Sequence, residues 1–515
     1  LAVSALSGCG LNQWVHNGFK VGPNYCKPAV PVASEWIDYQ DPNIKSVPAD
    51  LATWWTVFQD SALNELVQTA SRQNINLRVA GMRILESRYR RQIAVGELFP
   101  QLQDAAGSYS QNKLSANVAN APANLWFSNV DVGLNASWEL DFWGRFRRAV
   151  EVADAELDAS IESYDDVLVL LLAEVASGYV ELRTFQERRD YAIKNVAAQE
   201  NSLKIAEDKL QHGASSQRDV EQARTVLEQT RALVPTFEAG QRLANNRLCM
   251  LLGIPPRDLI AMRLGEGRTP QTPPEAAIGI PADLLRRRPD LRRAEREVAA
   301  QSARIGIAVS DLYPHLTING TFGYAAQNFG ELFDGNRSTV GGIGPAFRWD
   351  VLNYGRIINN VRAHDAVFQQ AAYAYQEKVL EAAREAEDGI VKFLTSHRRS
   401  KSLDAAARAA ESTRMITTNQ YRQGVVDFTA VYIAESELSQ VQDLAAAARG
   451  QIAQSLIELY RALGGGWEMR LLPQGSMDAR SAVSSPLNVA PERPLPAPVP
   501  PEPLPTPQGI AEPGR

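Results

Sequence analysis

A chain of 515 residues, 45% apolar and 22% charged, has the composition of a folded protein with room for more than one core. Its formal net charge of −6 carries no basic bias and argues against a nucleic-acid partner. No stretch approaches the roughly 18–20 uninterrupted apolar residues of a spanning helix. The most apolar run, Val167 to Leu172, soon meets Glu174. A membrane crossing by this chain therefore requires a closed β-barrel.

Residues 1–8 are small and apolar and end in Leu6-Ser7-Gly8-Cys9. That pattern reads as the remnant of a bacterial lipoprotein signal cut before Cys9, whose sulfur would carry the lipid. The basic start of such a signal is absent, so the chain is expected to begin inside it. Gly10, not Asp, follows the cysteine, which points to the outer membrane. Residues 9–50 are polar and Pro-rich, as a tether would be, and two or more acyl chains anchor stably where one is marginal. Cys26 carries no assignable chemistry, and Cys249, among Leu248, Met250, Leu251 and Leu252, reads as a small buried hydrophobe.

From residue 51 the chain tells its story twice, with a first repeat over 51–265 and a second over 266–472. Glu97-Leu98-Phe99-Pro100-Gln101-Leu102 recurs as Asp311-Leu312-Tyr313-Pro314-His315-Leu316, so Pro100 to Pro314 is a shift of 214. Trp138 recurs as Trp349, Gly178 as Gly389, Gly213 as Gly424 and Gly253 as Gly464, each a shift of 211. Each repeat opens with a predicted helix, Leu63 to Leu98 or Pro281 to Ser310. Two strand-like segments follow: Gln101 to Gln111 and Phe127 to Phe142, then His315 to Gln327 and Thr339 to Val351. Val130, Val132, Leu134 and Ala136 alternate with Asp131, Gly133, Asn135 and Ser137, a period of two that suits a wall with lipid on one side and water on the other.

A long helix is predicted next in each repeat. Ala149 to Leu210 and Arg356 to Gln423 contain no proline and one glycine each. About 60 residues at 1.5 Å give roughly 90 Å, too long for a compact domain. Turns at Gly213 and Gly424 send antiparallel helices back toward Leu252 and Leu463. A soluble rod would leave the strand hairpins as unpaired edges, and four strands cannot close a barrel. Several chains together can, and counting alone allows two, three or four. Gly341-Gly342-Ile343-Gly344 lies in a strand, which excludes a phosphate loop and suggests close strand packing. Residues 473–515 form a Pro-rich tail expected to be disordered.

Several marks taken together resemble the TolC-like outer-membrane factors, in their multidrug-efflux lipoprotein (NodT-type) branch. They are Val21-Gly22-Pro23-Asn24-Tyr25, Trp54-Trp55 with Phe58, Leu284 to Leu291 with Ala294-Glu295, Trp138 to Gly144 and Tyr421-Arg422-Gln423-Gly424. The resemblance implies a mixed α and β fold, a duplicated unit giving four strands per chain. Three chains would form a twelve-stranded outer-membrane β-barrel continuous with a long periplasmic α-helical barrel. It also implies a duct for small toxic compounds in a tripartite efflux system of a Gram-negative bacterium, with a periplasmic adaptor and an inner-membrane RND-type pump as partners. The alternative within the class is the exit duct of a type I protein-secretion system. Conduction needs no catalytic residues, cofactor or metal, and His16, His212, His315, His364 and His397 show no metal-ligand spacing.

By the same resemblance the helix turns close the duct. Tyr421 matches the family's gating tyrosine and Asp219 its acidic partner. The usual basic residue two after the second glycine is Val426 here, with Asp427 and Arg422 as the nearest substitutes, while Ala430 and Ile433 replace acidic positions farther up. The turn residues Gly213, Ala214, Ser215 and Ser216, with Gly424, Val425 and Val426, are expected to meet the adaptor.

Overall fold

The proline-free stretches become the longest elements of the molecule. The computed structural model describes residues 14–45, 51–117, 119, 122–265 and 267–471, so Cys9 and the tail from 473 lie outside the described residues. A short strand β1 (Ile44–Lys45) precedes helices α1 (Ser61–Gln73) and α2 (Ile75–Gly96), strands β2 (Leu102–Lys113) and β3 (Trp126–Leu140), and helices α3 (Arg145–Gln211) and α4 (Gln217–Leu251). The second copy supplies β4 (Ala276–Ala277), α5 (Pro289–Ser310), β5 (His315–Ala326), β6 (Thr339–Arg348), α6 (Arg356–Arg422) and α7 (Phe428–Ala462). Counterparts match in length: α2 and α5 have 22 residues each, α3 and α6 have 67, and α4 and α7 have 35. At 1.5 Å per residue the longest run about 100 Å.

The helix expected over Leu63 to Leu98 is two helices, because Asn74 leaves the helical conformation at φ −58°, ψ 129°. Its side chain caps the Leu77 N–H at 2.9 Å and donates to the Leu251 carbonyl at 2.8 Å, so the break is held from both sides. Pro281 to Ser310 is likewise interrupted. Arg288 is extended before Pro289, which opens α5. The strands expected to reach Phe142 and Val351 stop at Leu140 and Arg348.

The two copies share one antiparallel sheet in the order β2-β3-β5-β6. Register decides what the alternation means. Val132 lies opposite Tyr324, Leu134 opposite Phe322, Ala136 opposite Gly320 and Trp138 opposite Ile318, so both apolar sets fall on one face. Asn135, Ser137 and Glu139 stand opposite Thr321, Asn319 and Thr317 on the other. The close approach expected of the Gly341–Gly344 run belongs chiefly to a different pair. Gly133 and Gly323 face each other, and a Cβ on Gly323 would stand 2.6 Å from the Gly133 Cα, whereas Gly342 and Gly344 meet open space on an edge strand.

Below the sheet, α3 is the central helix, packed against α4, α5 and α7 and, at its start, against α2. As far as Arg470 the chain behaves as one compact unit. The N-terminal segment runs across it as a strap. Arg148, buried, donates to the carbonyls of Val21 (3.1 Å) and Gly22 (3.2 Å), and Arg147 to those of Gly18 (2.7 Å) and Phe19 (2.9 Å). Gly22, at φ 80°, presses so closely on Gly306 that an added Cβ would stand 2.5 Å from the Gly306 Cα. This contact is the physical reason for glycine in Val21-Gly22-Pro23. Cys26 is an exposed free thiol and Cys249 is buried, its Sγ 3.4 Å from the Arg257 carbonyl.

Candidate functional site

Each hairpin of long helices turns through a glycine in the left-handed region, Gly213 at φ 72° and Gly424 at φ 78°. The Ala214 N–H returns to the Lys209 carbonyl at 2.8 Å and the Val425 N–H to that of Gln420 at 2.9 Å, which satisfies the helix ends. Ser216 then caps α4 in a reciprocal box with Asp219. Asp427 begins α7 with no side-chain cap bond.

The two tips pack on one another. Tyr421 and Asp219 are 4% and 7% exposed, and Tyr421 sits in an apolar cluster with Ala206, Val220, Ala223, Phe428 and Val431. The Tyr421 hydroxyl lies 3.3 Å from Ser215 Oγ, which donates to Asp219 Oδ2 at 2.9 Å. The structure thus brings Tyr421 and Asp219 together through Ser215. Burial pushes the Asp219 carboxyl up, but the bonds from Ser215 and Ser216 and the nearby Arg218 charge hold it below the ordinary carboxylate range. Burial raises the Tyr421 phenol, so it stays a neutral donor.

Arg422, exposed, makes no ion pair within the chain among the described residues. Asp427 is exposed and faces Arg218 at 4.0 Å; Arg218 also reaches Asp219 at 3.6 Å. Gly213, Ala214, Gly424 and Val425 are exposed, and Ser215 is half-buried. Sequence reasoning missed three residues. The Lys209 ammonium donates to the Tyr421 carbonyl and lies 4.0 Å over its ring. Phe428 meets that ring edge-on at 5.3 Å, and Arg218 supplies a cation near the position where Val426 offers none. A signal existed for Lys209, whose counterpart 211 positions on is the uncharged Gln420, so the copies differ just where one tip must grip the other.

Higher up α3, Ser202 donates to the buried Glu435 of α7, whose other oxygen has no hydrogen-bond partner. Burial raises this carboxyl above its ordinary range, against the Ser202 bond and the Arg414 charge.

At the other end of the molecule the polar face of the sheet carries hydrogen-bonded pairs between neighbouring strands. Ser108 donates to Asp131 at 2.7 Å, Asn135 to Asp104 at 3.2 Å and Ser137 to Asn319 at 2.7 Å, and His315 lies 2.7 Å from Glu139. The apolar face carries Trp126 near one end of β3 and Trp138 near the other. Twelve residues separate them, about 40 Å along the strand. Trp138 Nε1 donates to the Leu98 carbonyl (3.2 Å), and its counterpart Trp349 to the Leu312 carbonyl (3.0 Å), so the duplication extends to individual hydrogen bonds. Trp14 of the strap packs against Phe142 and Trp143, with ring centroids 5.1 and 5.8 Å apart, at the Trp138 end.

Comparison with known proteins agrees with this geometry. The family described as outer membrane efflux protein matches residues 66–254 and 280–465, one segment per copy. Nodulation protein T of Rhizobium leguminosarum bv. trifolii is 27% identical over 452 residues, covering 88% of this chain and 95% of that protein. The toluene efflux pump outer membrane protein TtgF of Pseudomonas putida is 29% identical over 478 residues, covering 90% and 95%. The outer-membrane channel OprN superposes with a TM-score of 0.81 at 30% identity, covering 87% of this chain and 99% of that one. The chain belongs to the outer membrane efflux protein family.

Proposed function

We propose that three copies of this chain form the outer-membrane duct of a tripartite efflux system, passing small toxic compounds from a periplasmic adaptor and an inner-membrane pump to the outside. The observation that carries the reading is one sheet, apolar on one face and open at both edges, continuous with two 67-residue helices that turn back at touching tips. Three such sheets supply twelve strands, an even number within the range of closed barrels. A strand tilt of 35–45° reduces the spacing of Trp126 and Trp138 to about 30 Å, which matches two aromatic girdles at the surfaces of a bilayer. The tips then lie far out in the periplasm, where an adaptor can reach Gly213 to Ser216 and Gly424 to Val426.

Cys9 is proposed as the lipid anchor. Five residues span at most about 17 Å, so a cysteine five positions before Trp14 stays within reach of the inner leaflet beside Trp138. Mass spectrometry of the mature N-terminus is expected to find a diacylglyceryl-modified Cys9, and an unmodified thiol would refute the anchor. The duct itself is tested by deleting the gene and scoring drugs, dyes and metal ions. Raised susceptibility restored by the intact chain supports efflux. Unchanged susceptibility with loss of a secreted protein would favour the type I secretion reading instead.

A further inference from the structure

The duplication acts as a ruler for a surface that a single chain leaves bare. Within the chain, α3 of the first copy packs against α5 and α7 of the second. Repeating the step from first copy to second would set α6 against α2 and α4 of a neighbouring chain. Those bare faces are continuous with the two open sheet edges, since β2 follows α2 and β6 leads into α6. The two copies are built alike internally, as such a step requires. A Cβ on Gly81 would lie 3.9 Å from Tyr164, and their counterparts Glu295 and Tyr375 interact electrostatically. Gly178 touches Leu248 as Gly389 touches Leu459.

We propose that a second copy of the chain covers α6 in this register, and that Arg398 on α6 pairs with Glu238 on α4 of the neighbouring copy. Inside the chain, Arg449 of α7 binds Glu187 of α3 at 2.6 Å. A shift of 211 turns Glu187 into Arg398 and Arg449 into Glu238, so the pair returns with its charges reversed. Arg398 and Glu238 are both exposed, and neither makes an ion pair within the chain among the described residues. The same mapping accounts for apolar side chains left in the open. On the inner seam Val152, Ala300 and Ala303 bury together with Ile307, beside an Arg304–Glu156 ion pair. Their counterparts are Ala363, Glu86, Tyr89 and Ile93, with Arg90 and Val367 in place of the ion pair. Tyr89, Ile93 and Val367 are exposed in the single chain, and the charge of Glu86 is met by Arg90 on its own helix at 2.7 Å. The seam within a chain thus sets small apolar groups beside an ion pair that crosses helices, where the seam between chains would set aromatic and aliphatic side chains beside an ion pair held within one helix.

This inference rests on the oligomeric duct reading and adds its register. A Cβ on Gly450 would stand 3.1 Å from the Thr184 Cβ, near disulfide range. The counterparts are Ala239 and Thr395, both exposed. In a Cys26→Ser background, Ala239→Cys with Thr395→Cys should yield covalent dimers and trimers when outer membranes are oxidised and run on a non-reducing denaturing gel. Either single variant should remain monomeric, and Thr184→Cys with Gly450→Cys should link only within the chain. A double variant that stays monomeric, while lysine-directed crosslinking still shows a trimer, overturns the register alone. Absence of any oligomer overturns the duct reading with it. Arg398→Glu should lower the trimer fraction in detergent at least about twofold, and adding Glu238→Arg should restore it; no restoration overturns the ion pair.

Discussion

Asp219 and Tyr421 hold the same tip contact by different means, and that difference orders their variants. Asp219 accepts from Ser215 Oγ and closes the cap of α4, so Asp219→Ala removes two supports at once. Tyr421→Phe loses only the 3.3 Å contact with Ser215 and keeps its ring against Phe428 and Lys209. Single-channel conductance in planar bilayers should rise for both, and more for Asp219→Ala; no change in either would remove them from the gate. Glu435 predicts a pH dependence. Its carboxyl is 2% exposed and raised by burial. An acid raised in the folded state favours that state below its unfolded value and loses the advantage as pH rises through the folded one. The wild-type α3–α7 seam should therefore weaken on moving from acid toward alkaline pH, while Glu435→Gln should flatten the profile. Thermal melting across that pH range measures it, and parallel profiles would refute it.

The helices show how equal positions in two copies come to differ in cost. Gly178 faces only the Leu248 side chain at 3.2 Å, a group that can rotate away. Gly389 faces the Leu459 backbone Cα at 3.1 Å, which can yield only by moving a helix. Gly389→Ala should therefore destabilise by about 1–3 kcal/mol, as overpacking does, and Gly178→Ala by clearly less. Comparing the denaturation midpoints of the two variants checks this, and equal losses would count against it. The existence and order of the helices were readable because their period and length are local properties. The break at Asn74 was not, since the Leu251 carbonyl that holds it comes from residues far along the chain.

For the molecule as a whole, the open sheet and bare helix faces make assembly a requirement of the fold, because an apolar face and two unpaired edges cannot remain in water. Replacing Trp138 and Trp349 together by alanine should impair insertion more than either replacement alone, since both indoles are tied to carbonyls at the same end of the sheet. Heat-modifiable trimer in washed outer membranes is the readout, and an unchanged yield in the double variant would refute the girdle.

The sequence alone carried the duplication, the four strands, the long helices and the turn glycines, because repeats, periodicity and left-handed turns are written in neighbouring residues. It named Tyr421 and Asp219 by resemblance but could not supply Ser215 as their link, nor Lys209 and Arg218 as the cations. The contacts of Tyr421 with Ser215 and Lys209, and of Arg218 with Asp427, join residues some 200 positions apart and depend on how one helix pair rotates against the other. The meaning of the alternating strands also waited for the fold. A slip of one residue would have turned Phe322 toward the water face, and only the pairing of β3 with β5 places it beside Leu134.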